Sequence, residues 1–309
     1  MNLQAAVKSF PELLLELGDA NPNVFVVSQD MGPVGPFSQK YPERALDVGI
    51  TEQNLVGVAA GLATRGKLVF VYGMAPFVTM RGFEQVRTDL AYNEKNVKIV
   101  VYFTGLVGGP WGSTHHAIED LALMRAIPGM TVLAPCDPHE TERCLRGAVE
   151  LAGPVYIRMG AFVPVHEQDY AFQIGRAVPL RGGSDATIIA TGTMVRQAIE
   201  AHNRLKARGV QAGVLDMHTI KPLDAAAVRD AARTTGRIVT AEEHGVIGGL
   251  GSAVAEVLAE AGVGRLARVG VQDTFCTEVA SYPELCEIHG LTAEGIEKAV
   301  LSLVEGGGP

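Results

Sequence analysis

An acidic residue at the junction of a strand and a helix is the first candidate for chemistry. Residues 47–54 read DVGITEQN, in which a strand ends, Gly49 turns the chain and Glu52 opens a helix. A first-turn carboxylate is stabilised by the helix dipole by about 0.3–1 kcal/mol, so Glu52 could have a purely structural role. Ligands of α/β proteins, however, bind at the carboxyl edge of a parallel sheet, where such a residue lies. The spacing alone leaves both interpretations open.

Two other patterns resemble functional sites but favour structural interpretations. Residues 61–67 fit GxxxxGK, but Leu68 replaces the Ser or Thr of a P-loop, and the run follows a helix instead of opening one. Three further side chains could be imagined as zinc ligands, namely Cys136, His139 and Cys144. The local sequence instead predicts a helix start, with Asp137 as N-cap and Glu140 completing a capping box. We therefore predict neither a P-loop nor a metal site in this chain.

Composition limits the class of protein. The chain has 309 residues, of which 47% are hydrophobic and 19% charged, the balance of a compact α/β enzyme. A net charge of -8 argues against a nucleic-acid partner, and no apolar run approaches the roughly 18 residues of a membrane span. Four cysteines without a CxxC pair indicate reduced thiols. We expect a cytoplasmic enzyme that acts on small molecules, without nucleic-acid or membrane partners.

The elements that must position Glu52 follow from the periodicity of apolar residues. Short apolar runs alternate with helical segments, which predicts βα units around mostly parallel sheets. In the first half, strands are predicted at 24–28, 68–72, 97–103 and 130–134, and a buried helix at 52–64. A second series is predicted as strands 187–190, 211–215 and 238–241 with helices 195–208 and 251–261. The fold class is therefore α/β, with two doubly wound, mostly parallel-sheet domains at 1–165 and 175–309 and a linker at 166–174.

The order of several motifs decides between the two interpretations of Glu52. Residues 47–53 resemble the DVGIAEQ-type signature of the pyrimidine-binding domain of transketolases and 1-deoxyxylulose-5-phosphate synthases. The resemblance continues at family spacing through VGVAAGLA (56–63), APF (75–77), RGFEQVR (81–87), GSTH (112–115), IEDLA (118–122) and IPGM (127–130). It reaches the second domain as AEEH (241–244) and GGLG (248–251). Essentially the whole chain is covered, and it resembles the C-terminal subunit of a split transketolase.

This resemblance implies thiamine diphosphate as the cofactor. In the family, the glutamate matching Glu52 acts in catalysis by hydrogen bonding to N1′ of the aminopyrimidine, and the aromatic matching Phe77 stacks on that ring. Without the family, Phe77 would more often be a core residue. The resemblance also places Asp30 and Arg81 near the cofactor, and Met74 stands where the family often has a second aromatic residue.

The same resemblance implies a set of substrate-binding residues. His115 matches a histidine that approaches the reacting carbonyl or hydroxyl and can transfer a proton. Arg158 matches an arginine that contacts sugar phosphates, although a strand-end arginine is equally often paired with backbone carbonyls. Phe103 and Trp111 replace a histidine and an aspartate that read substrate hydroxyls. Because apolar rings offer no hydrogen bonds, we expect a donor that is less hydroxylated than xylulose 5-phosphate, or differently shaped.

The resemblance also implies a second protein. The family binds diphosphate and Mg²⁺ through a GDG motif and a later Asn on a separate domain, which we do not find in this sequence. An N-terminal transketolase subunit is therefore expected to hold Mg²⁺, in an α2β2 heterotetramer, with a homodimer formed by this chain alone. The predicted activity is transfer of a two-carbon ketol unit from a ketose-type donor to an aldehyde. The alternatives are a decarboxylating enzyme of 2-oxo acids, as in deoxyxylulose-phosphate synthase or dehydrogenase E1 β, and a non-catalytic assembly subunit.

Overall fold

The structure is a computed structural model that describes residues 7–30, 32, 34–166 and 169–306. The outer ends of the two predicted domains, at 1–6 and 307–309, lie outside the described residues, as do residues 167 and 168 of the predicted linker. The described part of the chain holds no helix that is long and apolar enough to cross a membrane.

The strands are β1 (Val24–Ser28), β2 (Ala45–Asp47), β3 (Leu68–Met74), β4 (Val97–Tyr102), β5 (Thr131–Leu133), β6 (Val155–Arg158), β7 (Val178–Arg181), β8 (Ala186–Ala190), β9 (Ala212–Asp216), β10 (Thr219–Lys221), β11 (Arg237–Gly245) and β12 (Arg265–Val271). They form a seven-stranded sheet, ordered β10-β5-β6-β4-β3-β1-β2, and a five-stranded sheet, ordered β12-β11-β8-β9-β7. Most neighbouring strands are parallel, and β10 and β7 are the antiparallel exceptions at two edges. The predicted α/β class with mostly parallel sheets is confirmed.

The helices are α1 (Phe10–Ala20), α2 (Gly35–Lys40), α3 (Glu52–Thr64), α4 (Ala75–Met80), α5 (Phe83–Gln85), α6 (Asp120–Ala126), α7 (Pro138–Glu150), α8 (Met194–Ala207), α9 (Ala225–Thr235), α10 (Leu250–Ala261), α11 (Tyr282–Ile288) and α12 (Ala293–Val304). A π-helical turn, Val86–Ala91, follows α5, and short 3₁₀ turns lie at Pro42–Arg44, Gly109–Trp111 and Ser113–His115. The central strands are buried almost throughout, because helices cover both faces of each sheet.

One strand crosses the division that the sequence predicts. β10 belongs to the second half of the chain, but it pairs antiparallel with β5 at the edge of the first sheet. The two halves are therefore connected by backbone hydrogen bonds as well as by side chains. The domain boundary that we place at the linker 166–174 remains a prediction.

The start of α7 is close to what the sequence predicts. The Asp137 carboxylate accepts the backbone N–H of Glu140 at 2.7 Å, as an N-cap should. The Glu140 carboxylate does not close a capping box; it accepts the backbone N–H of Cys136 at 2.7 Å. The rejected zinc set is replaced by a different buried group, whose ligand-type atoms lie within 4.8 Å of one another: Cys136, Glu140, His166 and Asp216.

Candidate active site

A turn that is held by side-chain hydrogen bonds places Glu52 at the carboxyl edge of the first sheet. β2 ends at Asp47, and its carboxylate accepts the backbone N–H of Gly49 at 2.9 Å. Gly49 has a φ of +68°, a conformation in which a side chain would be strained. Thr51 donates its hydroxyl to the carbonyl of Val48 at 2.8 Å, and α3 then begins. Glu52 is the first residue of this helix, and only 4% of it is exposed.

Glu52 has a charged partner on the open side of the site. Arg81 follows α4 and donates from Nη1 to Oε1 of Glu52 at 3.1 Å. The guanidinium carbon of Arg81 also lies 4.4 Å from the centre of the Phe77 ring, within the range of a cation–π interaction. The Arg81 side chain is 55% exposed, so the buried carboxylate connects to the surface through this residue. Glu52, Arg81 and Phe77 thus form one contiguous group.

A row of rings continues from Phe77. Its centroid lies 5.1 Å from that of His115, whose ring in turn lies 4.9 Å from Trp111, both in edge-on geometry. Trp111 is 4.9 Å from Phe103, the residue after β4, which has an unusual φ of +55°. The predicted cofactor-binding residues Glu52, Arg81 and Phe77 are therefore connected to the predicted substrate-binding residues His115, Trp111 and Phe103, although the six come from four separate segments. The geometry permits a planar ligand against Phe77 and a polar group near His115.

Asp30 and Met74 lie on the segments that frame this group. Asp30 follows β1 with a φ of +42°, and its backbone N–H donates to Asp47 at 2.9 Å, beside the turn that leads to Glu52. Met74 ends β3 and directly precedes α4, the helix that carries Phe77. Asp30 follows the predicted end of β1, whereas β3 continues beyond its predicted end at residue 72 to include Met74.

A cavity of about 300 Å³ opens beside Phe77 and receives side chains from both domains. Its lining includes Phe77, Met80, Arg81, Ser113, Glu119, Phe275 and Cys276. Glu119 is half-buried, and burial raises the pKa of its carboxyl. Phe275 is 73% exposed, which is unusual for so large an apolar side chain. The sequence reasoning missed both residues: Glu119 appeared only inside a motif, and Phe275 carries no local signal.

Arg158 is not on this surface with the others. It is 5% exposed, and its Nε donates to the Asp120 carboxylate at 2.8 Å. Its Nη2 donates to the carbonyls of Ala117 and Glu243, at 3.1 and 2.8 Å. The second alternative that the sequence left open, an arginine paired with carbonyls, describes these contacts. Arg158 joins the two domains in the structure, and the phosphate-binding role that the resemblance implies stays a prediction without a contact here to support it.

The donor set fits the pyrimidine end of thiamine diphosphate. A buried carboxylate and an aromatic ring both contact Arg81, a combination that suits a planar base with a ring nitrogen that can carry a proton. Among the residues that the structure describes, this site offers no comparable place for Mg²⁺. The one group of ligand-type side chains in the described ranges lies elsewhere, at Cys136, Glu140, His166 and Asp216.

Comparisons with known proteins match both halves of the chain to described domains. Residues 4–161 match the transketolase pyrimidine-binding domain, and residues 175–296 match the transketolase C-terminal domain. The chain is 43% identical to one of the subunits of an apulose-4-phosphate transketolase from Phocaeicola vulgatus, over 98% of this chain and 99% of the relative. It is 41% identical to a 6-deoxy-6-sulfo-D-fructose transketolase subunit from a Clostridium species, over 96% of this chain and 94% of the relative.

Two further relatives bear on the fold and on the alternative activity. A 1-deoxy-D-xylulose-5-phosphate synthase from Heliobacterium modesticaldum is 37% identical over 96% of this chain, which spans 46% of that protein. A solved split-gene transketolase, described as an inactive β4 tetramer, is 44% identical with a TM-score of 0.88, covering 96% of each chain. Both domains are matched in order and over nearly the whole chain, so it belongs to the transketolase family, as a transferase subunit of the split type.

Proposed function

We propose that this chain is the pyrimidine-binding subunit of a two-subunit, thiamine-diphosphate-dependent transketolase. It would transfer a two-carbon ketol unit from a ketose-type donor to an aldehyde acceptor. The observation that carries this proposal is the contiguous row from Glu52 through Arg81 and Phe77 to His115. Separate segments have no packing reason to bring a buried carboxylate, a stacking ring and a partly exposed imidazole into one row.

Each residue of the row has a distinct role in this proposal. Thiamine diphosphate, when bound, would supply a nucleophilic carbon that adds to the donor carbonyl and a positively charged thiazolium ring that takes up the electrons of the broken carbon–carbon bond. Glu52 holds a proton at the pyrimidine ring nitrogen, and Arg81 keeps the Glu52 carboxylate oriented. Phe77 provides the stacking face, with Met74 and Asp30 on the segments around it. The Nδ1 of His115 lies 3.0 Å from the Thr114 hydroxyl, which orients the ring so that Nε2 can exchange a proton with a substrate oxygen.

The diphosphate and Mg²⁺ are assigned to an N-terminal partner subunit. A pyrimidine held by this chain alone would bind weakly, because the charged diphosphate supplies much of the attraction. The solved relative described as an inactive β4 tetramer supports a requirement for a second kind of subunit. An α2β2 assembly, a homodimer of this chain in the partner's absence and a cytoplasmic location are parts of this proposal.

The substrate class follows from Phe103 and Trp111. Trp111 is 56% exposed and touches both Phe103 and His115, so it is accessible to a substrate that approaches His115. Two relatives are transketolase subunits for apulose 4-phosphate and 6-deoxy-6-sulfo-D-fructose, which supports donors other than the common ketose phosphates. We therefore propose a ketose derivative that has fewer hydroxyls near the carbonyl, or a different branching pattern, and an anionic end group.

Reconstitution tests the proposal. The chain is mixed with its partner subunit, thiamine diphosphate and Mg²⁺, and ketol transfer to an aldehyde is measured with a panel of ketose donors and 2-oxo acids. We expect transfer from a ketose only when both subunits are present. Release of CO₂ from a 2-oxo acid instead would establish the decarboxylating alternative. Equal activity with Glu52→Gln in place of the wild-type chain would indicate a non-catalytic assembly subunit.

A further inference from the structure

The segment that carries Trp111 and His115 is a closed loop. Gly105 and Ala117 form an isolated antiparallel bridge, with N to O distances of 2.9 and 2.8 Å in the two directions. Between them the chain makes two 3₁₀ turns, Gly109–Trp111 and Ser113–His115. The position of the whole loop is therefore set at its two roots, Leu106 and Ile118, which lie beside the bridge.

Both roots are held by the second domain, although the loop belongs to the first. Leu106 and Ile118 are buried in the same apolar cluster as Ala241 and Val271, residues of β11 and β12. The carbonyl of Ile118 also accepts the backbone N–H of Gly245 at 2.8 Å. The tip of the loop has a contact as well, because the Ser113 hydroxyl donates to the carbonyl of Cys276 at 2.5 Å. The second domain thus acts as the support of the loop.

Glu243 is the centre of this support. It lies on β11 with 2% exposure, and its Oε1 accepts the backbone N–H of Leu106 at 2.6 Å. Its Oε2 accepts the Tyr282 hydroxyl at 3.0 Å and also the Thr193 hydroxyl. A buried carboxylate with three donors makes strong, charge-assisted hydrogen bonds that fix its position. Through Glu243, the backbone N–H of Leu106 is therefore fixed relative to Thr193 and Tyr282, which lie on two other segments of the second domain.

The residue beside the root explains how the carboxylate can come so close. Gly105 has a φ of +56°, and a Cβ built on it would lie 2.1 Å from Oε1 of Glu243. Any side chain at position 105 would displace the carboxylate or the loop. The contact between Glu243 and Leu106 therefore requires both a carboxylate at position 243 and a glycine at position 105.

We propose that Glu243 is a positioning residue for ketol transfer, which holds the loop of residues 105–117 so that His115 and Trp111 face the substrate. This rests on the proposed function, because the roles of His115 and Trp111 come from it. Misplacement of a reacting group by about 1 Å can cost roughly a hundredfold in rate. Glutamine cannot satisfy the same donors, because only one of its two polar atoms is an acceptor.

The test uses Glu243→Gln and Gly105→Ala, with Glu242→Gln as the matched control. Glu242 is the neighbouring residue, 1% exposed, and its carboxylate accepts the backbone N–H groups of Leu250 and Gly251 at the start of α10. Trp111 is the single tryptophan of the chain, so intrinsic fluorescence reports on the loop without any need for activity. Fluorescence and its quenching by acrylamide are measured on the folded chain, alone and with the partner subunit.

We expect Glu243→Gln and Gly105→Ala to change the Trp111 emission and to lower kcat/KM for the donor about tenfold or more. The rate of C2-proton exchange of bound cofactor should stay within about twofold of wild type, because Glu52 is untouched. Glu242→Gln should leave the emission of Trp111 unchanged. If Glu243→Gln does not fold, Tyr282→Phe, which removes a single hydrogen bond to the carboxylate, is measured beside Gly105→Ala.

Unchanged Trp111 emission in the folded Glu243 or Gly105 variants would overturn the proposal. An equal loss of donor kcat/KM in the Glu242 and Glu243 variants would also overturn it, because the effect would then be general destabilisation. Failure of the wild-type pair to transfer a ketol unit would refute the proposed function instead. The positional part of the inference would still be decided by the fluorescence of the chain.

Discussion

Two of the regions in which this molecule buries carboxylates do so in opposite ways. At the edge of the first sheet, Glu52 is 4% exposed but has a partner, Arg81, whose side chain is 55% exposed. Between the domains lies a second region, here called the seam, whose charged groups all have buried partners: Asp120, Glu140, Arg158, His166 and Asp216. A carboxylate that opens toward solvent on one side can serve a ligand. A carboxylate enclosed by partners of its own chain has no free side for a ligand and acts by stabilising or positioning the segments around it.

Within the seam, the imidazole of His166 is paired with two carboxyl groups. Nε2 of His166 lies 3.0 Å from Oδ2 of Asp216 and 3.6 Å from Oε1 of Glu140. Burial lowers the pKa of His166, but hydrogen bonds to these two carboxyl groups outweigh burial and raise that pKa to about 9. Burial and the nearby Glu140 raise the pKa of Asp216. The raised pKa of His166 favours its imidazolium form, which faces both carboxyl groups, and the raised pKa of Asp216 favours the neutral form of that carboxyl.

The largest expected effect is on activity, at the open carboxylate. Glu52→Gln should slow C2-proton exchange of the bound cofactor by orders of magnitude, because an amide cannot hold the proton that a carboxylate holds at the ring nitrogen. The midpoint of thermal unfolding should change little, since Glu52 interacts with an exposed arginine and not with the core. Exchange is measured by NMR after rapid quenching of the reconstituted enzyme in D₂O.

Arg81→Met is the control for this experiment. It removes the partner of Glu52 but leaves the carboxylate in place, so we expect a smaller loss of exchange rate than with Glu52→Gln. An unchanged rate in Glu52→Gln would mean that the residue has been misassigned. A large loss of stability in Glu52→Gln would mean that Glu52 stabilises the fold, as the carboxylates of the seam do.

The second effect is on stability, inside the seam. Arg158→Met should lower the free energy of unfolding by about 3–5 kcal/mol, because it leaves the buried Asp120 without its charged partner. Both variants are measured by urea unfolding. Arg81→Met should cost less than Arg158→Met, because the Arg81 side chain is 55% exposed and water can take its place beside Glu52. A stable Arg158→Met protein with a roughly tenfold higher KM for phosphorylated donors alone would restore the substrate role that the family resemblance implies.

The third effect separates specificity from chemistry within the open site. Trp111→Asp together with Phe103→His should shift preference toward xylulose 5-phosphate and fructose 6-phosphate, by about 1–3 kcal/mol in transition-state binding for each hydrogen bond restored. The comparison is the ratio of kcat/KM for a hydroxylated and a deoxy donor, measured with wild type and the double variant. The single variants show whether the two positions act independently. An unchanged ratio would show that these rings do not read the donor.

The sequence predicts local features of both regions and misses most of the long-range ones. Glu52 at the start of α3 and Asp137 as the N-cap of α7 depend on neighbouring residues, so patterns of a few positions are enough to predict them. The contact of Phe275 with the site depends on how two domains pack, which no local period encodes. The same holds for His166, whose partners Glu140 and Asp216 are distant in sequence. The family resemblance supplied the site residues that periodicity could not.

The smallest expected effect is a pH dependence of stability that belongs to the seam and not to the site. The folded pKa of His166, about 9, lies above the value of about 6.5 of an unperturbed histidine. The folded state therefore holds an extra proton between these values, and its stabilising effect, complete below about pH 6.5, is lost as pH rises toward 9. The raised pKa of Asp216 acts in the same direction, whereas the lowered pKa of Glu140 matters only in acid.

Urea unfolding at about pH 7, 8 and 9 measures this dependence. One proton contributes at most about 1.4 kcal/mol per pH unit, so we expect wild type to lose about 1–2 kcal/mol through His166 over this range. His166→Gln should be less stable at neutral pH but show a flatter profile, because its side chain does not titrate. His139→Gln, at a partly exposed position of α7, is the control and should keep the wild-type slope. A wild-type slope in His166→Gln would mean that the imidazolium is not formed in the seam. In that case, the two carboxyl groups of the seam, Glu140 and Asp216, would share a proton without His166.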